Sequence, residues 1–119
     1  MARHNTTGHD GEQLVADYLT ARGYAIRERN WSVGHLELDI VATNGRWIAF
    51  VEVKTRESSA DDPLTAMTPK KIDNIVKAAN VYMSQLDLPL EPRFDVAAVT
   101  LTPDLRLEYI EDAFYPPLK

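Results

Sequence analysis

Asp39 and Glu52 stand thirteen residues apart, with an Asn44-Gly45 dipeptide between them. Glu37 lies two residues before the first acid and Lys54 two residues after the second. Asn-Gly between two apolar runs is the strongest short-range signal for a two-residue hairpin turn. Centring the turn on Asn44-Gly45 sets Thr43 opposite Arg46, Ile40 opposite Ala49 and Glu37 opposite Glu52. Side chains alternate along a strand, so Glu37, Asp39, Glu52 and Lys54 emerge on one face at one end of the hairpin. Carboxylate oxygens gathered this way bind hard cations such as Mg²⁺ or Mn²⁺. Crowded carboxylates repel one another on a desolvated face, and a divalent cation offsets that repulsion. Such a cation polarises a phosphoryl oxygen and acidifies its bound water. Lys54 is placed to orient that water or to stabilise charge on the phosphate. These parts suit metal-assisted phosphodiester hydrolysis. A plainer reading stays open, in which solvated strand ends are bridged by Lys54, although directly opposed Glu37 and Glu52 count against it as facing like charges.

The elements that position these residues follow from periodicity. Thr7 and Asp10 have a capping-box-like spacing, which predicts a mobile tail over residues 1–6 and a helix from there to about Arg22, ended by Gly23. Leu14, Val15, Tyr18 and Leu19 form its apolar stripe. At roughly 100° per residue, Glu12 falls at the border of that stripe, within reach of a sheet. Tyr24–Trp31 reads as a strand, followed by hairpin strands at about 36–43 and 46–55. One hairpin face carries Val41, Ile48 and Phe50, the other Leu38, Ile40, Trp47, Val51 and Val53. Strands apolar on both faces belong in the centre of a sheet covered by helices. Residues 57–67 are polar and loop-like, expected to be mobile. Thr68 as N-cap with Pro69 behind it starts a second helix, whose stripe of Ile72, Ile75, Val76, Ala79, Met83 and Leu86 leaves Lys71 near its edge. Strands at 94–101 and 105–110 follow, joined by a turn at Pro103-Asp104. The order α-β-β-β-α-β-β indicates one α/β domain over 1–119 with a mixed sheet.

The composition bounds what this domain can be. A length of 119 residues suffices for a core without staples, and with no cysteine there is neither a disulfide nor a thiolate metal site. No apolar run is long enough to cross a bilayer and the N-terminus has no apolar signal segment, so the expectation is a cytoplasmic protein without a membrane partner. The formal net charge of −5 argues against a general nucleic-acid coat protein. The charge is uneven, however. Residues 1–56 hold seven Lys/Arg and seven Asp/Glu, whereas residues 57–119 hold six and eleven. Neutralising Glu12, Glu37, Asp39 and Glu52 with metal would leave the first half basic. His35 alternates with Glu37 and Asp39, but a single histidine near a turn is more often exposed than a ligand. Trp47 and Tyr82 lie on apolar surfaces and read as core rather than as base-stacking platforms. No P-loop, dinucleotide fingerprint, nucleophile elbow or zinc motif is present.

Asp39, then Glu52-Val53-Lys54 on the next strand, preceded by a helix carrying Gly11-Glu12, resembles the PD-(D/E)xK nuclease superfamily. More closely, the chain resembles the bacterial YraN-like family, itself similar to archaeal Holliday-junction resolvases. The matching residues are Gly11-Glu12, Ala16, Tyr18-Leu19, Gly23-Tyr24, Arg29-Asn30, residues 37–42, residues 50–56, Lys71, Ala79, Tyr82, residues 93–96 and Ala113-Phe114. The resemblance implies a restriction endonuclease-like three-layer fold and a divalent-metal-dependent DNA endonuclease using Mg²⁺ or Mn²⁺, acting on branched or damaged DNA. It implies that Asp39 and Glu52 ligate the metal, with the Val53 carbonyl as a further oxygen. Lys54 would be the catalytic lysine, Glu12 an outer or second-metal carboxylate and Glu37 a less direct contributor; Arg56 and Lys71 are candidate nucleic-acid contacts, with Lys71 open to the plainer reading of a side chain lying along its helix border. A homodimer would suit a junction substrate. Leu36 departs from the family's pattern, which places Gly before the first acid and so has more backbone freedom there. Leu38 stands where the superfamily's name has Pro. The rival from another class is a nucleic-acid-binding or protein-interaction module that keeps the nuclease fold without turnover.

Overall fold

The computed structural model describes residues 3–58 and 62–116. Helix α1 (Arg3–Ala21) is followed by strands β1 (Ala25–Val33), β2 (Leu36–Thr43) and β3 (Trp47–Arg56), a 3₁₀ turn (Pro63–Ala66), helix α2 (Pro69–Ser84) and strands β4 (Glu91–Thr100) and β5 (Arg106–Ile110). The strands form one sheet in the order β1-β2-β3-β4-β5, antiparallel throughout except for the parallel pair β3–β4. Parallel neighbours need a long crossover, and α2 lies within it. No helix among the described residues is long and apolar enough to cross a membrane.

The two helices cover opposite faces. Val15 and Leu19 of α1 pack on Ile40, Ala42, Ala49, Val51, Ala97 and Val99. Ile75, Ala78, Ala79 and Tyr82 of α2 pack on Val41, Ile48, Phe50, Phe94 and Val96. β3 and β4 are therefore buried on both faces, which is what their continuous apolar runs require. Each fully buried Val, Ile or Phe contributes roughly 1.5–3 kcal/mol. This is the restriction endonuclease-like three-layer α/β arrangement expected from the sequence. α2 begins where the sequence places it: Thr68 Oγ1 accepts the Lys71 N–H at 3.2 Å, with Pro69 behind the cap.

Several expectations are corrected. The hairpin register differs by two residues, pairing Thr43 with Ile48, Ala42 with Ala49 and Ile40 with Val51. Neither Asn44 nor Gly45 has the positive φ that the expected turn demands. Instead the Asn44 carboxamide accepts the Arg46 and Trp47 N–H groups at 2.8 and 2.7 Å, and Asn44 N–H donates to the Trp47 carbonyl at 3.0 Å. Asn44 thus ends its strand, and Gly45-Arg46 make the turn. α1 begins at Arg3, ahead of the cap expected at Thr7, so residues 3–6 are helix rather than tail; residues 1 and 2 lie outside the described residues. Within the expected loop, Asp62 caps the 3₁₀ turn by accepting the Leu64 N–H at 2.9 Å, and Pro63 and Met67 are buried. Residues 59–61 lie outside the described residues. Leu38 joins Val41 in the α2-side core instead of Ile40 on the other face. Strict alternation fails there, where β2 parts from β3 and its ladder with β1 skips Asp39. Its pairing with β3 ends at Ile40–Val51, while its pairing with β1 continues through Leu38, Glu37 and Leu36.

Candidate functional site

The parting of β2 from β3 makes a fork, and the acids lie in it. Continuing the observed register by one residue sets Asp39 opposite Glu52, and the two side chains interact. The facing like charges are thus Asp39 and Glu52, not Glu37 and Glu52. The Val53 N–H, just past the last β2–β3 pair, donates to Asp39 Oδ2 at 2.9 Å. Burial and the adjacent Glu52 charge push the Asp39 carboxyl from 3.8 up to about 7, against the lowering effect of the Val53 N–H; a hydrogen bond with Glu52 and the more distant Glu12 charge push the same way as burial. Glu52 is buried at 9% exposure.

The fork opens into a cleft of about 410 Å³ between the end of β2 and the start of α2, bordered by His35, Leu36, Glu37, Asp39, Glu52 and Lys71 among others. Lys71 crosses it from the first turn of α2 and places Nζ 2.8 Å from Glu52 Oε2. That contact holds the Lys71 ammonium above its ordinary range, although partial burial opposes it. Lys54 is pushed the other way, first by burial and then by its hydrogen bond with Lys71 and the Lys71 charge, while Glu52 and Asp39 pull it back up. Two acids and two lysines therefore form one electrostatic unit.

The remaining residues expected at the site are placed as follows. Glu37 lines the cleft but is exposed, and His35 is an exposed turn residue beside it. Leu36, the departure noted above, pairs with Val33 at the hairpin end and packs against the α2-side core. Glu12 reaches the sheet from α1 as its helical phase suggests, but is held by β1: its Oε1 accepts from Arg29 Nε and Nη2 at 3.3 Å each and from Asn30 Nδ2 at 3.0 Å. Asn30 adopts a φ of 55°, a conformation rare for a residue other than glycine. Arg56 donates to Thr100 Oγ1 at 2.8 Å and to Glu108 at 3.3 Å. Among the described residues no three acids or histidines gather closely enough to hold one metal ion. The structure thus brings together Asp39, Glu52, Val53, Lys54 and Lys71, and leaves Glu12 and Glu37 at the periphery.

Two relationships were not legible beforehand. The pairing of Lys71 with Glu52 had one partial signal: Thr68-Pro69 fixes the phase of α2, and Lys71 lies one turn before buried Ile75. Nothing in the sequence marks Arg29 and Asn30 as the partners of Glu12. Asp95, by contrast, pairs with Arg93 as its spacing suggests. It is fully buried, accepts from Arg93 Nε and Nη2, and is further bonded by Tyr109 Oη at 2.6 Å and the Asp112 N–H at 2.9 Å. Burial works against the Arg93 charge, yet Asp95 holds it above its ordinary range; burial and then Asp95 raise the Tyr109 hydroxyl. With these partners satisfied, the network reads as structural.

Residues 11–99 match the family described as Uncharacterised protein family UPF0102. A UPF0102 protein of Bacteroides fragilis is 45% identical over 120 residues, covering 99% of each chain. One of Phocaeicola vulgatus is 42% identical over 121 residues, again 99% of each. One of Flavobacterium psychrophilum is 43% identical over 117 residues, 97% of this chain and 98% of the relative.

Proposed function

Since the chain belongs to the UPF0102 family, the YraN-like family that its sequence resembles, we propose that it is a divalent-metal-dependent DNA endonuclease hydrolysing phosphodiester bonds, with branched or damaged DNA as the substrate class. The observation that carries this reading is the pair Asp39–Glu52, facing across the fork with Lys54 on the same strand as Glu52. Two carboxylates held together in a partly desolvated fork are costly unless a cation or a proton intervenes, and the elevated Asp39 value is the mark of that cost. The donor set fits a hard cation: two carboxylates and the Val53 carbonyl, which faces the same gap because N–H and C=O of a strand residue point to the same edge. Asp39, Glu52 and the Val53 carbonyl would hold Mg²⁺ or Mn²⁺, which would supply Lewis acidity and an acidified water.

The chain's own residues do the rest. The Val53 amide fixes the Asp39 carboxylate toward β3. Lys54, held below its ordinary range first by burial and then by Lys71, is suited to orienting water or a phosphate oxygen. Glu12, secured by Arg29 and Asn30, adds negative potential from the far side of the fork. Arg56 and Lys71 would make the backbone contacts, and a homodimer would let two such sites address a branched substrate.

The test is cleavage of branched and linear DNA with Mg²⁺ or Mn²⁺, comparing wild type with Glu52→Ala and Lys54→Ala. Cleavage abolished in both variants is expected. Equal residual cleavage in all three proteins would remove the enzyme claim. A second reading, a binding module without turnover, draws on the net charge of −5 and on the neutralisation of Glu52 by Lys71. It requires salt-sensitive DNA binding, or partner binding, that needs no metal and survives Asp39→Asn.

A further inference from the structure

Lys71 reaches the acid pair from the opposite side of the cleft, and its approach is fixed by the start of α2. Thr68 Oγ1 accepts the Lys71 N–H, Pro69 opens the helix, and Ile75 one turn later is buried in the core. The ammonium therefore enters the fork on a flexible four-carbon stem whose root is anchored in the helix start. Its contact with Glu52 Oε2, at 2.8 Å, joins a lysine side chain 37% exposed to a carboxylate 10% exposed. Both members of this pair line the cleft, and Lys71 also meets Lys54.

This geometry has a consequence for any cation that uses Glu52. A divalent ion and an ammonium sharing one carboxylate repel at a few ångströms, in surroundings that screen charge less than bulk water does. Lys71 is the more exposed partner and borders the open cleft, so its ammonium has room to move away from Glu52. We infer that Lys71 is a tethered counter-cation of the acid pair: it occupies Glu52 when no divalent ion is bound, competes with that ion for the carboxylate, and is displaced from it into the cleft when the ion binds. Lys71 is thus a positioning residue whose first partner is Glu52 rather than the nucleic acid. The inference rests on the metal-site reading above and adds to it a built-in competitor that sets how much cation the site needs.

The test is Mn²⁺ binding by the full-length protein, followed by electron paramagnetic resonance of the free ion, for wild type, Lys71→Met, Lys71→Gln and Asp39→Asn. It is run at about pH 8.5, where carboxylates are ionised and protons do not compete. Lys71→Met and Lys71→Gln should bind Mn²⁺ roughly tenfold more tightly than wild type, since a cation is removed from within a few ångströms of the bound ion. Asp39→Asn should bind weakly or not at all. Thermal melts establish that each variant is folded, and either lysine variant alone suffices if the other is not. Wild-type binding with equal or weaker binding by a folded Lys71 variant overturns the competitor and leaves the metal site standing. Failure of wild type and both lysine variants to bind removes the metal site and the competitor with it. Binding by the lysine variants alone supports the competitor in its strongest form.

Discussion

Asp39 accepts the Val53 amide at 2.9 Å while its carboxylate faces that of Glu52. The first contact ties β2 to β3 just where their pairing ends; the second opposes it. Asp39→Asn keeps an acceptor for the amide and removes the repulsion. The variant is expected to be more stable than wild type at pH 8 in the absence of metal, by on the order of 2 kcal/mol. Urea denaturation with and without Mn²⁺ checks this, and the metal should stabilise only the wild type. An Asp39→Asn protein less stable than wild type at pH 8 would show that repulsion does not dominate the pair.

The same group sets a pH dependence. Its folded value of about 7 lies above its ordinary 3.8, so the native state binds more protons than the unfolded state between those values. Its contribution to stability is therefore greatest below about pH 4, declines as pH rises to about 7, and is level above. The difference in melting temperature between wild type and Asp39→Asn should widen across that window and then stay constant. A difference independent of pH would contradict it. Bound Mn²⁺ selects the ionised form, so Mn²⁺ affinity should rise over the same interval.

The buried network around Asp95 makes a prediction separate from the site. Asp95→Ala leaves Arg93 without its main partner in a buried setting and should cost about 3–5 kcal/mol. Tyr109→Phe removes one donor to a buried carboxylate and should cost about 1.5–3 kcal/mol. Both are read from denaturant titrations, and Mn²⁺ binding by folded Tyr109→Phe should equal that of wild type.

Asn30 joins backbone strain to a side-chain contact. Its φ of 55° is one that glycine adopts freely and a β-branched residue does not, and its amide donates to Glu12 at 3.0 Å. Asn30→Val should lose roughly 1–3 kcal/mol through the backbone alone. Asn30→Gly should lose less, although it removes the same hydrogen bond. Equal losses would assign the effect to the contact with Glu12 instead.

The order of elements, the two-sided burial of β3 and β4 and the start of α2 were legible because each rests on a local signal: continuous apolar runs, or Thr68 ahead of Pro69. Three of the hairpin's polar residues, Glu37, Asp39 and Glu52, do border one cleft. A register displaced by two residues preserves parity, so from Asp39 to the turn the faces survived while the partners changed. The displacement came from Asn44, whose carboxamide takes up two backbone N–H groups and moves the turn one residue beyond where Asn-Gly statistics place it. That is a choice between two local uses of one side chain, and composition does not reveal it. The separation of β2 from β3 at Asp39, the turn of Glu12 toward Arg29 and the approach of Lys71 to Glu52 depend on how elements meet in three dimensions.

The fork also determines which half of the site is stiff. β3 is paired along its whole length with β4, from Trp47–Glu91 to Arg56–Thr100, so Glu52, Val53 and Lys54 are built into the most continuous ladder of the sheet. Before Ile40, β2 pairs along its backbone with β1 alone, in a two-stranded ribbon joined through Gly34-His35. Two-stranded ribbons twist more than sheet interiors. The distance between the acids is therefore governed by one compliant arm working against a rigid one, a caliper whose moving jaw carries Asp39. Cations of different radius would be met by displacement of that jaw, and the elastic resistance of the β1–β2 ribbon, rather than the chemistry of the ligands alone, would grade their affinities.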